Sequence, residues 1–327
     1  MDVNIKMSTW CLSQKGPKRA QKGSTKRDEK GELEIMEIIV GKTAGFCYGV
    51  ERAVMGAEKE MDRAKEPVYC LGEIAHNKKV IEKLEEQGIK FIETIEEANG
   101  KVLIRAHGIP KEIYKVAEEM NLTIKDYTCP NVLKVQKIAA EFSGKDYFIF
   151  LLGVKNHPEN IATLSHCGNY YYNFEKEEEL EKAMQVFKNS DKKKLLLLSQ
   201  TTYSVEKFQE IEKRIVEKLQ LETDIEFVSK NTICRTTELR QKETEELSKK
   251  VDTMIIIGGK NSSNTKKLYE VAKKNCEDTI LIESVEELCL EDFEKDFYKD
   301  KIGIMAGAST PKKSIDEVIT FLKEGRK

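Results

Sequence analysis

Three of the eight cysteines in this 327-residue chain stand where a helix is about to begin. GFCYGVERAV (45–54), YTCPNVLKVQ (127–136) and TICRTTELRQ (232–241) each run out of a turn-like stretch into a helical pattern. In the first of them Val50, Ala53, Val54, Ala57, Met61 and Ala64 recur at three- and four-residue steps. A thiolate at such a start faces the free amide groups of the first turn, which favour negative charge and lower a cysteine pKa. Cys47, Cys129 and Cys234 are therefore candidate metal ligands, although any one of them alone reads more plainly as a buried, inert thiol. No CxxC pair occurs, so a shared metal requires the thiols to converge from distant segments. Each cysteine has a basic residue five or six positions on, at Arg52, Lys134 and Arg240. The intervals between them match about one small α/β unit each, as three similar units bringing one thiol apiece to a common centre would produce.

Other polar residues gather at strand ends. Of four histidines, His76 in GEIAHN, His107 in RAHGIP and His157 in KNHPEN each follow an apolar run. In open parallel sheets ligands bind outside the carboxyl ends of the strands, so the three imidazoles are candidates for one polar site; singly, each is a satisfied loop or capping histidine. Ser262, Ser263 and Asn264 follow the MIIIGGK run at the start of another helix, where hydroxyls, an amide and free backbone donors suit phosphate. Ser309 in GASTPKKS repeats that arrangement, with Pro311 suited to a first helical turn. Two such segments near histidines point to a diphosphate, while no Walker or GxGxxG motif points to a nucleotide. Glu159, just after His157 and Pro158, is either a favourable charge at a helix start or a proton source. Thr201 and Thr202 close the LLLL run and are placed to hold a hydroxyl or relay a proton.

The elements that must position these residues alternate. VYCLGEI, KVLIRAHG, DYFIFLLGV, KKLLLLSQT, MIIIGGK, TILIE and KIGIMAGAS read as strands, preceded by MEIIVGK near Met36. NKKVIEKLEEQG, SVEKFQEIEKRIVEKL and NTKKLYEVAKKN read as helices between them. Continuous apolar strands separated by helices indicate α/β architecture with parallel sheets covered on both faces. Residues 1–35, polar and rich in lysine and glycine, predict a disordered tail in which Cys11 has no ligand role.

Composition excludes several classes. With 55 basic and 57 acidic residues there is no basic field calling for nucleic acid. Apolar runs such as 195–198 and 254–257 are far too short for a bilayer. No secretory signal is present, which leads to the expectation of a soluble cytoplasmic protein with reduced cysteines.

Taken in order, FCYGVERA, GEIAHN, RAHG, DYTCP, HPE, SQTT, the TIC segment, NSSN and GAS resemble the 4-hydroxy-3-methylbut-2-enyl diphosphate reductase family from about Met36 to Pro311. The resemblance implies three similar small α/β domains with mostly parallel sheets around a central 4Fe-4S cluster held by Cys47, Cys129 and Cys234. It implies the ranges 49–129, 130–230, and 36–48 with 231–327 for the three domains. One iron is then left without a protein ligand, for the substrate's hydroxyl oxygen as alkoxide. The resemblance further assigns His76, His107, His157, Thr201, Ser262, Ser263, Asn264 and Ser309 to an allylic diphosphate substrate, and Glu159 to proton donation. It implies isopentenyl and dimethylallyl diphosphate as products, and an electron donor such as ferredoxin or flavodoxin. Asn156 and Asn160 around HPE, and Tyr127 before TCP, depart from the family's usual residues.

Two other classes compete with that reading. A mononuclear metal hydrolase would use the histidines with Glu159 but leave the helix-opening cysteines idle. A cluster-bearing redox sensor or RNA-binding protein would need an aromatic-rich basic stripe for RNA, which is absent.

Overall fold

The computed structural model describes residues 36–220, 224–289 and 300–325. The expected tail at 1–35, with Cys11, lies outside the described residues. Three separate four-stranded sheets carry the chain. One contains β2 (Val68–Leu71), β3 (Lys90–Ile92), β4 (Lys101–Ile104) and β5 (Thr123–Asp126) in the order β3-β2-β4-β5. The next contains β6 (Phe148–Leu152), β7 (Tyr171–Phe174), β8 (Lys194–Ser199) and β9 (Glu226–Ser229) in the order β7-β6-β8-β9. The last joins β10 (Thr253–Ile257), β11 (Thr279–Ile282) and β12 (Lys301–Ala306) to β1 (Glu37–Val40), in the order β11-β10-β12-β1. Every described strand pairing is parallel.

The three sheets share one plan, in which the second, first, third and fourth strands lie side by side. In the last sheet the fourth place is taken by β1 from the far end of the chain, with Glu37 in register with Lys301. The connection leaving the first strand runs to one side of the sheet and that leaving the third runs to the other. Such a reversal opens a crevice at the carboxyl ends of the two central strands, the usual place for a ligand in an open α/β sheet. The molecule therefore has three equivalent crevices.

The helices are α1 (Tyr48–Asp62), α2 (Lys78–Glu86), α3 (Lys111–Glu119), α4 (Pro130–Gly144), α5 (Pro158–Leu164), α6 (Leu180–Lys188), α7 (Val205–Leu219), α8 (Arg235–Ser248), α9 (Ser263–Lys273) and α10 (Lys312–Gly325). They cover both faces of each sheet, which is why the central strands are apolar throughout their interiors, with polar residues only at strand ends. Phe148, Phe150 and Leu152 enter one core while Ile149 and Leu151 enter another on the opposite face. Ile255 and Ile257 are divided from Met254 and Ile256 in the same way. Four edge strands escape the apolar reading: β3, β5, β7 and β9 each have one neighbouring strand and are partly exposed. No helix among the described residues is long and apolar enough to cross a membrane.

Phe150 sits at the centre of the middle unit, fully buried, with edge-on ring contacts to Phe148, Phe174 and Phe187 at centroid distances of 5.7, 5.5 and 6.2 Å. Phe150→Ala should cost about 3–5 kcal/mol through lost transfer energy and the cavity left behind. Denaturant unfolding should show a clearly lower midpoint, and an unchanged midpoint would contradict this account of the core.

Candidate active site

Each crevice delivers its polar residues from the two central strands. β2 leads to His76 and β4 to His107; β6 leads to His157 and Glu159, and β8 to Thr201. β10 leads to Ser262, Ser263 and Asn264, and β12 to Ser309. Together with Cys47, Cys129 and Cys234, all of these residues line a single cavity.

The imidazoles pack face to edge. His76 stacks on His107 at 4.8 Å between centroids, and His157 meets them edge-on at 5.8 and 5.3 Å. One ring nitrogen from each lies within 4.8 Å of the others, close enough for one shared ligand. Burial, the neighbouring imidazoles and Arg105 hold His107 well below the usual histidine range, and burial chiefly pushes His157 down to about 3. These two are neutral donors or acceptors at physiological pH. His157 Nδ1 accepts the Glu159 amide at 3.2 Å and so caps α5. Among the described residues, His76 Nε2, His107 Nδ1 and Asn264 Nδ2 are buried without a hydrogen-bond partner, an arrangement that a bound polar ligand would complete. The Ser262 side chain caps α9 by accepting from Thr265, and Thr202 Oγ1 donates to Ser263 Oγ at 3.4 Å. Ser309 does not cap a helix; its hydroxyl donates to the His76 carbonyl at 3.2 Å and links two units across the cavity.

Glu159 is 2% exposed and accepts hydrogen bonds from the Thr201 amide (2.6 Å) and hydroxyl (2.7 Å). Burial raises its pKa to about 7, against the opposing pull of Thr201. A carboxyl balanced there gives up or takes a proton at little cost near neutrality.

The cysteines repeat one geometry. Each follows the fourth strand of a sheet and is the N-cap residue of a helix: Cys47 of α1, Cys129 of α4 and Cys234 of α8. Each backbone N–H is anchored in the loop that leaves a central strand, two residues past the strand's end. Cys47 donates to Ala308 at 3.1 Å, Cys129 to Ala106 at 2.9 Å and Cys234 to Thr201 at 2.9 Å. A Cβ on Gly49 would lie 2.7 Å from Cys129 Sγ and 4.0 Å from Cys47 Sγ, so the missing side chain keeps the space between two thiols clear. Asn131 Nδ2 donates to Cys234 Sγ at 3.1 Å. By contrast Cys70 and Cys167 are buried elsewhere, with thiols pushed up to about 12 by desolvation.

At Cys129 the helix-start amides do not decide the state of the thiol. Burial raises its pKa, repulsion from Cys47 and Cys234 adds to that, and the amides of Asn131 and Val132 only oppose the rise. Desolvation exceeds the helix-start effect because the thiols face one another inside the cavity. The expected basic triplet also splits. Arg240 is buried and Arg52 is half-buried, whereas Lys134 points to solvent.

Sequence reasoning missed the residues two and three positions after each cysteine. Gly49 and Val50, Asn131 and Val132, Thr236 and Thr237 all line the cavity. The signal was present, since those are the N2 and N3 positions of three equivalent first turns. The departures also find places. Asn156 has φ of +63°, a left-handed conformation suited to Gly or Asn. Asn160 is buried, donating to the Val154 carbonyl at 2.9 Å and to Gln200 at 3.3 Å. The Tyr127 ring occupies the space that a side chain at Gly56 would need.

Residues 38–323 match the family described as LytB protein. The 4-hydroxy-3-methylbut-2-enyl diphosphate reductase of Caldanaerobacter subterraneus subsp. tengcongensis is 41% identical over 293 residues, covering 88% of this chain and 97% of its own length. The enzyme of the same name from Clostridioides difficile is 40% identical over 293 residues, covering 88% and 99%. A solved (E)-4-hydroxy-3-methyl-but-2-enyl diphosphate reductase, described as the terminal enzyme of the non-mevalonate pathway, is 37% identical with a TM-score of 0.64, covering 89% of this chain and all of its own. The E-1-hydroxy-2-methyl-but-2-enyl-4-diphosphate reductase of Plasmodium falciparum is 29% identical with a TM-score of 0.79, covering 88% of each chain. Since the family match and these relatives extend across all three sheets and the cavity between them, the chain belongs to the LytB protein family.

Proposed function

We propose that this chain reduces 4-hydroxy-3-methylbut-2-enyl diphosphate to isopentenyl and dimethylallyl diphosphate, with a 4Fe-4S cluster held by Cys47, Cys129 and Cys234. The observation that supports this most is the meeting of three helix-opening thiols with nine polar residues from three crevices in one cavity. The donor set fits the cluster. Three thiols at helix starts line one cavity, the missing side chain at Gly49 clears the space between two of them, and burial, with repulsion from Cys47 and Cys234 added, raises the Cys129 pKa, a cost that bound iron would offset. Three protein ligands also leave a coordination position free for substrate. When bound, the cluster supplies Lewis-acid help to the departing hydroxyl and electrons one at a time.

The chain's own residues do the rest. Ser262, Ser263 and Asn264 at the start of α9 are suited to bind the diphosphate with His76, His107 and Ser309. Apart from Arg240 the lining has no lysine or arginine among the described residues, so the anion would be met by neutral donors and the helix start. Thr201 and His157 fall to the hydroxyl end, where Thr201 bonds both the Glu159 carboxyl and, through its carbonyl, the Cys234 amide. Removal of the hydroxyl as water consumes two electrons and two protons: one proton leaves in the water and the other reaches an allylic carbon. Glu159 is the proton source at the hydroxyl, relayed by Thr201. Protonation at either end of the allyl fragment accounts for two products, and a one-electron carrier such as ferredoxin or flavodoxin supplies the electrons.

The closeness of the three imidazole donors favours a second reading, a mononuclear metal hydrolase. The two readings separate on anaerobic purification. The reductase reading requires brown protein with iron and acid-labile sulfide; colourless protein holding one zinc on the histidines would overturn it. Cys129→Ser should sharply reduce bound iron, while Cys70→Ser and Cys167→Ala should not. A fully loaded Cys129→Ser protein would end the three-cysteine assignment.

Glu159→Gln should keep its iron and lose roughly a hundredfold or more in turnover. Its stability has a definite sign with pH. A carboxyl whose folded pKa is raised from 4.5 to about 7 retains an extra proton in the folded state between those values. Its burial therefore costs nothing below about pH 4.5, and the cost grows as pH rises through 7 and then levels off. Relative to Glu159→Gln, the unaltered protein should lose roughly 3 kcal/mol across that window. A pH-independent difference between the two unfolding curves would show that Glu159 does not titrate as described.

A further inference from the structure

Arg240 on α8 is 2% exposed, yet its guanidinium makes no ion pair with a carboxylate among the described residues. Its Nε donates to the Thr43 carbonyl and its Nη2 to the Gly45 carbonyl, both at 2.8 Å. Both acceptors belong to the short loop that ends in Cys47, and Gly45 there has φ of +102°. Glu243, one turn further along α8, accepts from the amides of Lys42 and Thr43 at 2.6 and 2.8 Å. The helix opened by Cys234 thus grips the loop carrying Cys47 with a donor and an acceptor. Two further ties complete a ring. Arg52 of α1, the Cys47 helix, donates to the Thr128 carbonyl at 2.6 Å, next to Cys129. Asn131 of α4, the Cys129 helix, donates to Cys234 Sγ at 3.1 Å.

Burying a guanidinium with only carbonyl partners is costly unless a negative charge lies near. Arg240 lines the cavity with all three thiols. The groups that oppose the effect of burial on its charge are Cys47, Cys234 and Glu243, and Glu243 is already engaged by the loop. We propose that Arg240 is a positioning residue with two functions: it fixes the Cys47 loop, and its charge is the counter-charge that sets the reduction potential of the cluster. This rests on the cluster reading above. A cluster on three thiolates is anionic and becomes more so on reduction, so an adjacent fixed cation favours the reduced state.

The test uses anaerobically loaded full-length protein and reads potential and iron retention rather than turnover. In redox titrations followed by electron paramagnetic resonance, Arg240→Gln should move the midpoint in the negative direction. The reduced-to-oxidised ratio at the unaltered protein's midpoint should fall about tenfold, equivalent to about 59 mV for a one-electron couple. Arg240→Lys should keep the midpoint but, with one ammonium unable to reach both carbonyls, release iron to a chelator roughly tenfold faster. Glu243→Gln weakens the same grip but removes a negative charge, so it should not reproduce the negative shift and should move the midpoint, if at all, in the positive direction. An unshifted midpoint in iron-replete Arg240→Gln would overturn the counter-charge, as would an equal negative shift in Glu243→Gln. Unaltered iron release from Arg240→Lys would overturn the positioning function, and this variant remains informative if Arg240→Gln fails to fold. Absence of iron and sulfide from the unaltered protein would instead remove the cluster reading itself.

Discussion

The arrangement depends on three backbone hydrogen bonds. Cys47, Cys129 and Cys234 each donate their N–H to the carbonyl two residues past the end of the third strand of a sheet: Ala308, Ala106 and Thr201. Each bond fixes a helix start against the carboxyl end of a sheet, so a thiol and a polar side chain enter the cavity together. Because all three sheets have the same strand order, the same local rule applied three times produces a common centre. The fourth strand of the last sheet comes from the N-terminal segment, which lets the first cysteine join the two that follow it.

Charge in the cavity is arranged by burial as much as by partners. Desolvation favours neutral His107, neutral His157 and a carboxyl at Glu159 that titrates near 7. Repulsion among the thiols works in the same direction at Cys129. Against this stands the buried guanidinium of Arg240, which lines the cavity and is held by carbonyls of the Cys47 loop. The site thus keeps net charge low at the end suited to an anionic ligand and retains a cation among the thiols.

Residues that differ from the family's habit are absorbed by local geometry. Asn156 takes a left-handed turn that few side chains accept. Asn160 lies one residue after Glu159 and forms a buried amide pair with Gln200, the residue before Thr201. That pair ties together the two loops whose side chains form the Glu159–Thr201 hydrogen bonds. Tyr127 pairs in shape with Gly56 and extends its hydroxyl toward Glu60 at 3.5 Å. Asn156, Asn160 and Tyr127 are thus each accounted for by local geometry, and none of them lines the cavity.

The central strands were legible from sequence because both of their faces are buried, which imposes unbroken apolar runs such as 148–152 and 195–198. The edge strands β3, β5, β7 and β9 were not, since an exposed edge tolerates the polar residues of KFI, TIKD, YYNF and EFVS. The cysteines, histidines and Glu159 were legible as residue types at strand ends and helix starts, because those positions are set by local backbone requirements. Their convergence was decided only by the tertiary structure, through the repeated strand order and the crossing of β1 to the last sheet. The same holds for the difference among the three basic residues. The same five-residue spacing left Arg52 half-buried and Lys134 in water, while a six-residue spacing brought Arg240 inside, because burial depends on what the rest of the chain packs against each helix. The direction of the Cys129 shift was likewise a matter of depth, which no spacing in the sequence records.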